Sequence, residues 1–232
     1  MNGITLWMAF VDAIPVFIFL AAAITLMKDW REYNDSAGIT DYGFITAGAL
    51  MLFGGAILKV AWKTLYALNV CDYYTLSESF FPMQTIGFVL MSMGVAGKVS
   101  KKPTVFRGVF GTIMLAIFSG LVCLFTDSAK ADWVPSGTEV LPYESHMPFL
   151  LGTFIGFMTL QILLMIVACK RKSKKYIIAF VLSAFFMIAE AVVGSIFDGS
   201  SNMHWAAQFI HIFAEIGLLI GARGIYKAKS NN

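Results

Sequence analysis

Residues 147–169 read MPFLLGTFIGFMTLQILLMIVAC, and residues 170–175, which follow directly, read KRKSKK. The first stretch has no charged side chain and is apolar on every side of a helix, which is typical of a segment that crosses a bilayer as an α-helix. The second stretch is almost entirely basic, which is typical of the cytoplasmic end of such a helix. Together they predict a membrane helix that runs inward.

Six further stretches of the chain have the same apolar character. A crossing needs about 20 apolar residues at ~1.5 Å each. The seven candidate segments are Ile4–Met27, Tyr42–Leu65, Glu78–Gly97, Val105–Phe125, Met147–Cys169, Tyr176–Phe197 and Trp205–Tyr226. Because the connections between them are short, the fold prediction is all-α, with residues 1–232 forming one polytopic bundle of seven transmembrane helices.

The composition excludes a protein with a water-facing polar surface. Hydrophobic residues make up 58% of the chain and charged residues 13%, and the mean hydropathy is +0.75. A transmembrane barrel would show ~10-residue strands of alternating polarity, whereas these segments are apolar throughout. The chain is therefore predicted to be a multi-pass protein of a cell membrane, of the bacterial inner-membrane type.

The basic residues indicate the orientation of the bundle. Of the 17 Lys and Arg residues, 14 fall at one set of helix ends, and Lys63 and Lys130 fall on the other side. The 14 are Lys28, Arg31, Lys98, Lys101, Lys102, Arg107, Lys170, Arg171, Lys172, Lys174, Lys175, Arg223, Lys227 and Lys229. The positive-inside rule makes these ends and the C-terminus cytoplasmic and puts the N-terminus outside. Orientation explains these bases without a nucleic-acid or anionic-lipid partner, so the expected partners are the bilayer and a small molecule or ion.

Three cysteines do not make a disulfide framework, and no CxxC spacing indicates a metal or redox site. Cys123 and Cys169 are interpreted as small buried hydrophobic residues, and Cys71 is assigned to an outer loop. No cofactor is predicted.

Polar residues inside the spans fall near the outer ends of their helices. Asp12 lies in the first segment, Lys59 in the second, Glu78 and Gln84 in the third, and Glu190 in the sixth. Ionisable groups at such depth cost at least ~2.5–3.5 kcal/mol and normally face the bundle interior or water. The inner half of the bundle is expected to hold nothing comparable.

The seventh segment carries the densest polar set. His204, Gln208, His211 and Glu215 are spaced four, three and four residues apart, so they share one helical face. The sequence therefore predicts an outward-opening funnel. Its ligand-binding or proton-binding residues are Asp12, Lys59, Glu78, Gln84, Glu190, Gln208, His211 and Glu215.

Several of these residues also have structural interpretations. Asp12 could pair with Lys59 or support the helix near Pro15, and Glu78 could be an acid at the water interface. Glu190 has only small residues near it in sequence, so it needs a partner on another helix, a proton or a ligand. Four acids against one Lys and one deep His predict a pocket that attracts a cation or holds protons.

Glycines and a proline add weaker signals. Gly217 and Gly221 form a GxxxG pattern, which is interpreted as packing inside the bundle, although a homo-oligomer face stays open. Pro82 is expected to bend the third segment beside Gln84.

An internal repeat is also considered. A shift of 130 residues carries Gly87 onto Gly217 and Gly94 onto Gly224, and a shift of 135 carries Gly55 onto Glu190. A layout of three helices, one helix and three helices resembles that of sugar transporters of the SWEET kind.

The functional prediction is a small transporter or carrier for a small cationic or neutral solute, coupled to protons through Glu190, His211 and Glu215. One alternative is a seven-helix sensor that reads an external ligand and acts through a separate partner. A second rests on His211, Glu215 and Glu190, which resemble part of the zinc site of ceramidase-like intramembrane hydrolases and would be the zinc ligands in that case. An opsin-like topology is also present, but the seventh segment has no interior lysine for a retinal Schiff base.

Overall fold

The computed structural model describes residues 5–33, 39–71, 75–100, 102–129, 147–172, 174–195 and 201–230. Within these ranges the chain forms seven long helices and one helical turn, and no strand. They are α1 (Leu6–Tyr33), α2 (Ile39–Ala67), the turn α3 (Thr75–Glu78), α4 (Phe80–Val99), α5 (Pro103–Ala129), α6 (Met147–Lys170), α7 (Lys174–Ser195) and α8 (Ser201–Ser230). The all-helical fold is confirmed.

Six of the helices, α1, α2, α4, α6, α7 and α8, are long and apolar enough to cross a membrane. Helix α5 contributes a shorter apolar stretch, Pro103–Ala116. Large apolar side chains such as Phe10, Leu115, Ile178 and Phe185 are more than half exposed. Such a surface would be an aggregation hazard in water and is the expected surface in lipid.

The third segment begins differently from the prediction. The turn α3 comes first, and α4 starts at Phe80, so Pro82 lies in the first turn of the helix. A proline is tolerated there because the amide hydrogen it lacks would have no partner inside the helix. The predicted bend at Pro82 inside a continuous span is therefore wrong.

Helix ends are fixed by residues in the left-handed region. At the end of α2, Asn69 has φ of 54°, and the amides of Asn69 and Val70 donate to the carbonyl oxygens of Tyr66 and Leu65, each at 3.0 Å. This pattern of hydrogen bonds is a Schellman motif. After α6, Lys172 also has φ of 54°, and its amide donates to the carbonyl oxygen of Cys169 at 3.0 Å.

Six helices form a closed ring. In the order α1, α2, α4, α6, α7, α8, each helix packs against the next, and α8 returns to α1. Helix α5 lies outside the ring, against α4 and α6. Trp30, Met91, Phe157, Leu164 and Phe180 are among the buried side chains of the shared core.

Two neighbouring pairs in the ring run in the same direction. Thr85 and Ser92 of α4 donate to the carbonyl oxygens of Phe149 and Gly156 of α6, at 2.8 Å and 3.2 Å, so α4 and α6 advance together. Gln208 of α8 donates to the carbonyl oxygen of Met8 at 3.3 Å, and Tyr226 near the end of α8 donates to Glu32 near the end of α1 at 2.9 Å. Helices α1 and α8 are therefore parallel as well.

Close packing at glycines joins α2 to α4 and α7 to α8. A Cβ atom at Gly87 would lie 2.6 Å from Leu52 and 2.9 Å from the carbonyl oxygen of Gly48. A Cβ atom at Gly217 would lie 2.8 Å from the carbonyl oxygen of Ala179 and 3.1 Å from Ser183, and Gly221 packs in the same way on Phe180. Both glycines of the GxxxG pattern therefore pack inside the bundle.

The same contacts recur in the two halves of the ring. Gly94 of α4 packs on Ile45 of α2, and Gly224 of α8 packs on Tyr176 of α7. The glycines are related by a shift of 130 residues and their partners by a shift of 131. Helices α1, α2 and α4 thus form one three-helix unit and α6, α7 and α8 form a second, while α5 lies between the units in sequence.

One cysteine departs from its predicted place. Cys169 is exposed at the end of α6, so its interpretation as a buried hydrophobic residue is wrong. Cys71, which follows α2, is also exposed. The side chain of Cys123 lies outside the described residues.

Candidate functional site

The polar face of α8 lies between α7 and α1, at the end of the bundle where α8 begins. We call this the histidine end, and the opposite end, where α1 ends and α2 begins, the basic end. Gln208 and Glu215 are buried, and the side chain of His211 is 29% exposed. The spacing of these residues along α8 places them on one face, as predicted.

Glu190, His211 and Glu215 form a triad across α7 and α8. Nδ1 of His211 lies 2.8 Å from Oε1 of Glu190 and donates a hydrogen bond to it. Nε2 of His211 lies 3.7 Å from Oε1 of Glu215, one helical turn further along α8. Glu190 therefore finds its partner on another helix, and one imidazole stands between two carboxylates.

Several buried oxygen atoms of this region have no hydrogen-bond partner among the described residues. They are Oε2 of Glu190, Oε2 of Glu215 and Oε1 of Gln208. Buried acceptors are normally satisfied, so each one marks a place for a proton, a water molecule or a ligand. Two of the three belong to the triad.

Gln161 of α6 extends the polar region deeper into the bundle. It is fully buried, its Nε2 donates to Oγ of Ser183 in α7 at 3.0 Å, and its Oε1 has no partner among the described residues. Ser183 packs on Gly217, two residues beyond Glu215. A second unsatisfied acceptor thus lies on the inner side of the triad.

Asp12 is paired differently from the predicted arrangement. It forms an ion pair with Lys63 of α2, and the two side chains are 15% and 10% exposed. The predicted partner, Lys59, instead lies with its ammonium group 4.1 Å from the ring centroid of Phe80 in α4. Lys63 was assigned to the outer surface, and its burial against Asp12 corrects that assignment.

The ion pair belongs to the same electrostatic group as α8. His204 lies within electrostatic range of Asp12, Lys59 and Lys63, and His211 lies within range of Asp12 as well as of its two glutamates. The structure therefore brings together the predicted residues of α1, α2, α7 and α8.

The predicted residues of the third segment are not part of this group. Nε2 of Gln84 donates to the carbonyl oxygen of Leu52 in α2 at 3.2 Å, which is an interhelical packing role. Glu78 is the last residue of α3, and its side chain lies outside the described residues.

The repeat gives the triad a counterpart. A shift of 131 residues carries Lys59 of α2 onto Glu190 of α7, and a shift of 130 carries Phe81 of α4 onto His211 of α8. Lys59 lies 5.7 Å from the ring centroid of Phe81, as Glu190 lies beside His211. These contacts replace the predicted shift of 135, which aligned Gly55 with Glu190.

Sequence reasoning missed a second group of buried charges, at the basic end. Asp29 of α1 is fully buried, and its two carboxylate oxygens accept hydrogen bonds from Lys98 at 2.7 Å and from Arg171 at 2.8 Å. Arg171 also donates to the carbonyl oxygen of Ile225 at 2.8 Å. The group ties α1, α4 and α8 to the end of α6.

A neighbouring ion pair attaches α5. Asp41 of α2 is buried and pairs with Arg107 of α5, whose Nε donates to the carbonyl oxygen of Met93 at 3.0 Å. Gly97 lies directly against the Asp41 carboxylate, where no side chain would fit.

The expectation that this half of the bundle holds nothing comparable is therefore wrong. The bases Lys98, Arg107 and Arg171 were read only as orientation signals. Their long side chains reach back along the helices to buried acids. The available signal was Asp29 and Asp41 themselves, which are acids placed among the bases of that end.

The triad does not have the form of a metal centre in this structure. Among the described residues, no group of three or more His, Cys, Asp and Glu side chains is placed to hold a metal ion. His146, the remaining histidine for a ceramidase-like site, lies outside the described ranges.

The fold and the site together define an all-helical protein of the membrane-spanning type with a buried acid–histidine group. Comparisons of the chain with models of protein families, with curated proteins and with solved structures found no match.

Proposed function

We propose that this chain is a small membrane carrier for a small cationic or neutral solute, coupled to protons through Glu190, His211 and Glu215. The observation that carries the proposal is that the two glutamates each keep one buried carboxylate oxygen without a partner among the described residues. A carrier needs a site that can gain and release charge, and an incompletely satisfied acid pair offers one.

The charges of the triad favour proton handling. If both glutamates ionise, they carry two negative charges, and His211 offsets at most one. Such a surplus is costly inside a bilayer, so the group takes up a proton or a small cation. Histidine is also the side chain whose ordinary titration range covers neutral pH.

Lys63 narrows where the negative charge lies. Because Asp12 and Lys63 neutralise each other, the surplus at the histidine end belongs to the α7–α8 triad rather than to the whole funnel. Attraction of a large cation is thereby weaker than four acids would give, and the proton is the occupant that needs the least room.

The orientation is part of the same proposal. With the basic end in the cytoplasm, the triad faces the outer half of the membrane. The carrier would then load from outside, and the Asp29 group would lie at the face of release.

The test uses the purified protein in liposomes with a pH-sensitive dye trapped inside. Proton movement is followed while sodium, potassium and small organic ammonium ions are supplied one at a time outside. Glu190→Gln and Glu215→Gln should reduce proton-linked flux to background, and His211→Gln should remove its pH dependence. The thermal stability of Glu190→Gln should be held or raised, because a buried charge is removed.

The control is Glu32→Gln, which neutralises an exposed acid at the basic end and should leave flux unchanged. Full flux in all three triad variants would refute the proposal. Stoichiometric zinc in the purified protein would favour the hydrolase, and a ligand-dependent conformational change without flux would favour the sensor.

A further inference from the structure

A basic groove lies between α1 and α8 at the basic end. It is a cavity of about 280 Å³ lined by Thr25, Lys28, Arg223, Tyr226 and Lys227. The parallel packing of α1 and α8 places one basic side chain of α1 opposite two of α8. It is separate from the triad, which lies at the opposite end of the same two helices.

The three bases of the groove differ from the other bases nearby. Lys98 and Arg171 are held by Asp29, and Arg107 is held by Asp41. Lys28, Arg223 and Lys227 are exposed, and none of them forms an ion pair with a described residue. Positive-inside topology explains why bases occur at this end, but it does not explain why these three share one concave site.

One acid lies beside the groove. Glu32 accepts a hydrogen bond from the hydroxyl of Tyr226 at 2.9 Å, which fixes the tyrosine side chain at the groove wall. A single acid against three bases leaves the groove with a net positive charge. Its ligand is therefore an anion, and a phosphate group fits the mixture of Lys, Arg and Thr donors.

The surface next to the groove is apolar. Ile24 lies one turn before Lys28 on α1, and Ile220 lies one turn before Arg223 on α8. Their side chains are 40% and 48% exposed. A ligand seated in the groove would thus have its charged part among the bases and an apolar part along these two residues.

We propose that the α1–α8 groove binds the phosphate headgroup of an anionic phospholipid, with the acyl chains lying along Ile24 and Ile220. Basic pockets between membrane helices bind such headgroups, and each Lys or Arg near an anionic surface strengthens binding by about fivefold. The site is independent of the proposed transport activity.

The test is a titration of the purified protein in detergent with short-chain phosphatidylglycerol, followed by intrinsic fluorescence or native mass spectrometry. Changing Lys28, Arg223 and Lys227 together to Gln should weaken binding by roughly a hundredfold, since three charges are lost. Arg223→Gln alone should weaken it by about fivefold. Because the three side chains are exposed, the variants should keep the thermal stability of the parent in phosphatidylcholine.

The matched control changes Lys102, Lys172 and Lys175 to Gln, three exposed bases of the same end that do not line the groove. It lowers the net charge equally and should leave binding within about twofold of the parent, because screened distant charges act weakly. Equal losses in the two triple variants would overturn the site. Equal binding of phosphatidylcholine, or competition by inorganic phosphate at concentrations matching the lipid, would also overturn the lipid assignment.

Discussion

Buried charges at the two ends of the bundle are satisfied to different degrees. Asp29 has both carboxylate oxygens bonded, one to Lys98 and one to Arg171. Glu190 and Glu215 share one histidine, and each keeps an oxygen without a described partner. Breaking a buried pair costs about 3–5 kcal/mol, so the Asp29 group is a fixed structural tie. The triad is the part of the chain that can change its charge.

The pairing of Asp12 can be tested at the same scale. Asp12→Asn and Lys63→Met should each lower thermal stability, because each leaves the other group charged and buried. The double variant should recover part of the loss, with a coupling free energy of about 1–3 kcal/mol. The measurement is thermal unfolding in detergent, analysed as a double-mutant cycle.

Lys59→Met serves as the matched control, since it removes a lysine one turn away on the same helix. Combined with Asp12→Asn, it should give additive losses within about 0.5 kcal/mol. A stronger coupling to Lys59 than to Lys63 would reverse the assignment of the pair.

At the scale of the element, the ends of α2 and α6 solve the same problem with different residues. Both chains leave the helix through a residue with φ of 54°, which is Asn69 in one case and Lys172 in the other. Asparagine tolerates this left-handed conformation, whereas lysine is strained in it. The bend after α6 is therefore formed at a cost in stability.

Lys172→Gly should stabilise the protein by about 1 kcal/mol, because glycine adopts the left-handed region without strain. Asn69→Gly should change stability by less than about 0.5 kcal/mol. Thermal unfolding of both variants in the same detergent measures the difference. A loss of stability in Lys172→Gly would show that the bend does not strain the lysine.

The elements were easier to predict from the sequence than the contacts between them. Uninterrupted apolar runs identify the spans, and the spacing of Gln208, His211 and Glu215 identifies one face of α8. Lys59 and Lys63 are four residues apart and share a face, so the sequence alone does not decide which one meets Asp12. That choice depends on the offset between α1 and α2, which the periodicity of either helix does not contain.

At the scale of the whole molecule, the two three-helix units close into a ring, and α5 packs on its outside. The ring explains why residues of α1 and α8, far apart in sequence, share both the histidine end and the basic groove. The fold class followed from composition, while the ring order required the structure, because seven apolar helices can pack in many orders.

The orientation of the bundle can be measured with two thiols at opposite ends. Cys71 follows α2 at the histidine end, and Lys172→Cys supplies a thiol at the basic end. Each is studied with the other cysteines changed to serine. A membrane-impermeant maleimide should label Cys71 in intact cells and should reach the introduced thiol only after the cells are opened.

The reverse labelling pattern would turn the bundle over and make the triad face the cytoplasm. Labelling of both thiols in intact cells would contradict a bundle in which α2 and α6 span the same membrane. Unopened cells that lack the introduced thiol give the background for both measurements.

The parallel packing of α1 with α8 and of α4 with α6 has a consequence for any cycle that the bundle carries out. Transporters built from inverted repeats can exchange the conformations of their two halves, and one face then takes on the shape of the other. Two units that point the same way are related by an axis along the membrane normal, so exchanging them returns the same face. The inward-open form of this bundle would therefore be a distinct structure, reached by opening the Asp29 group rather than by mirroring the histidine end.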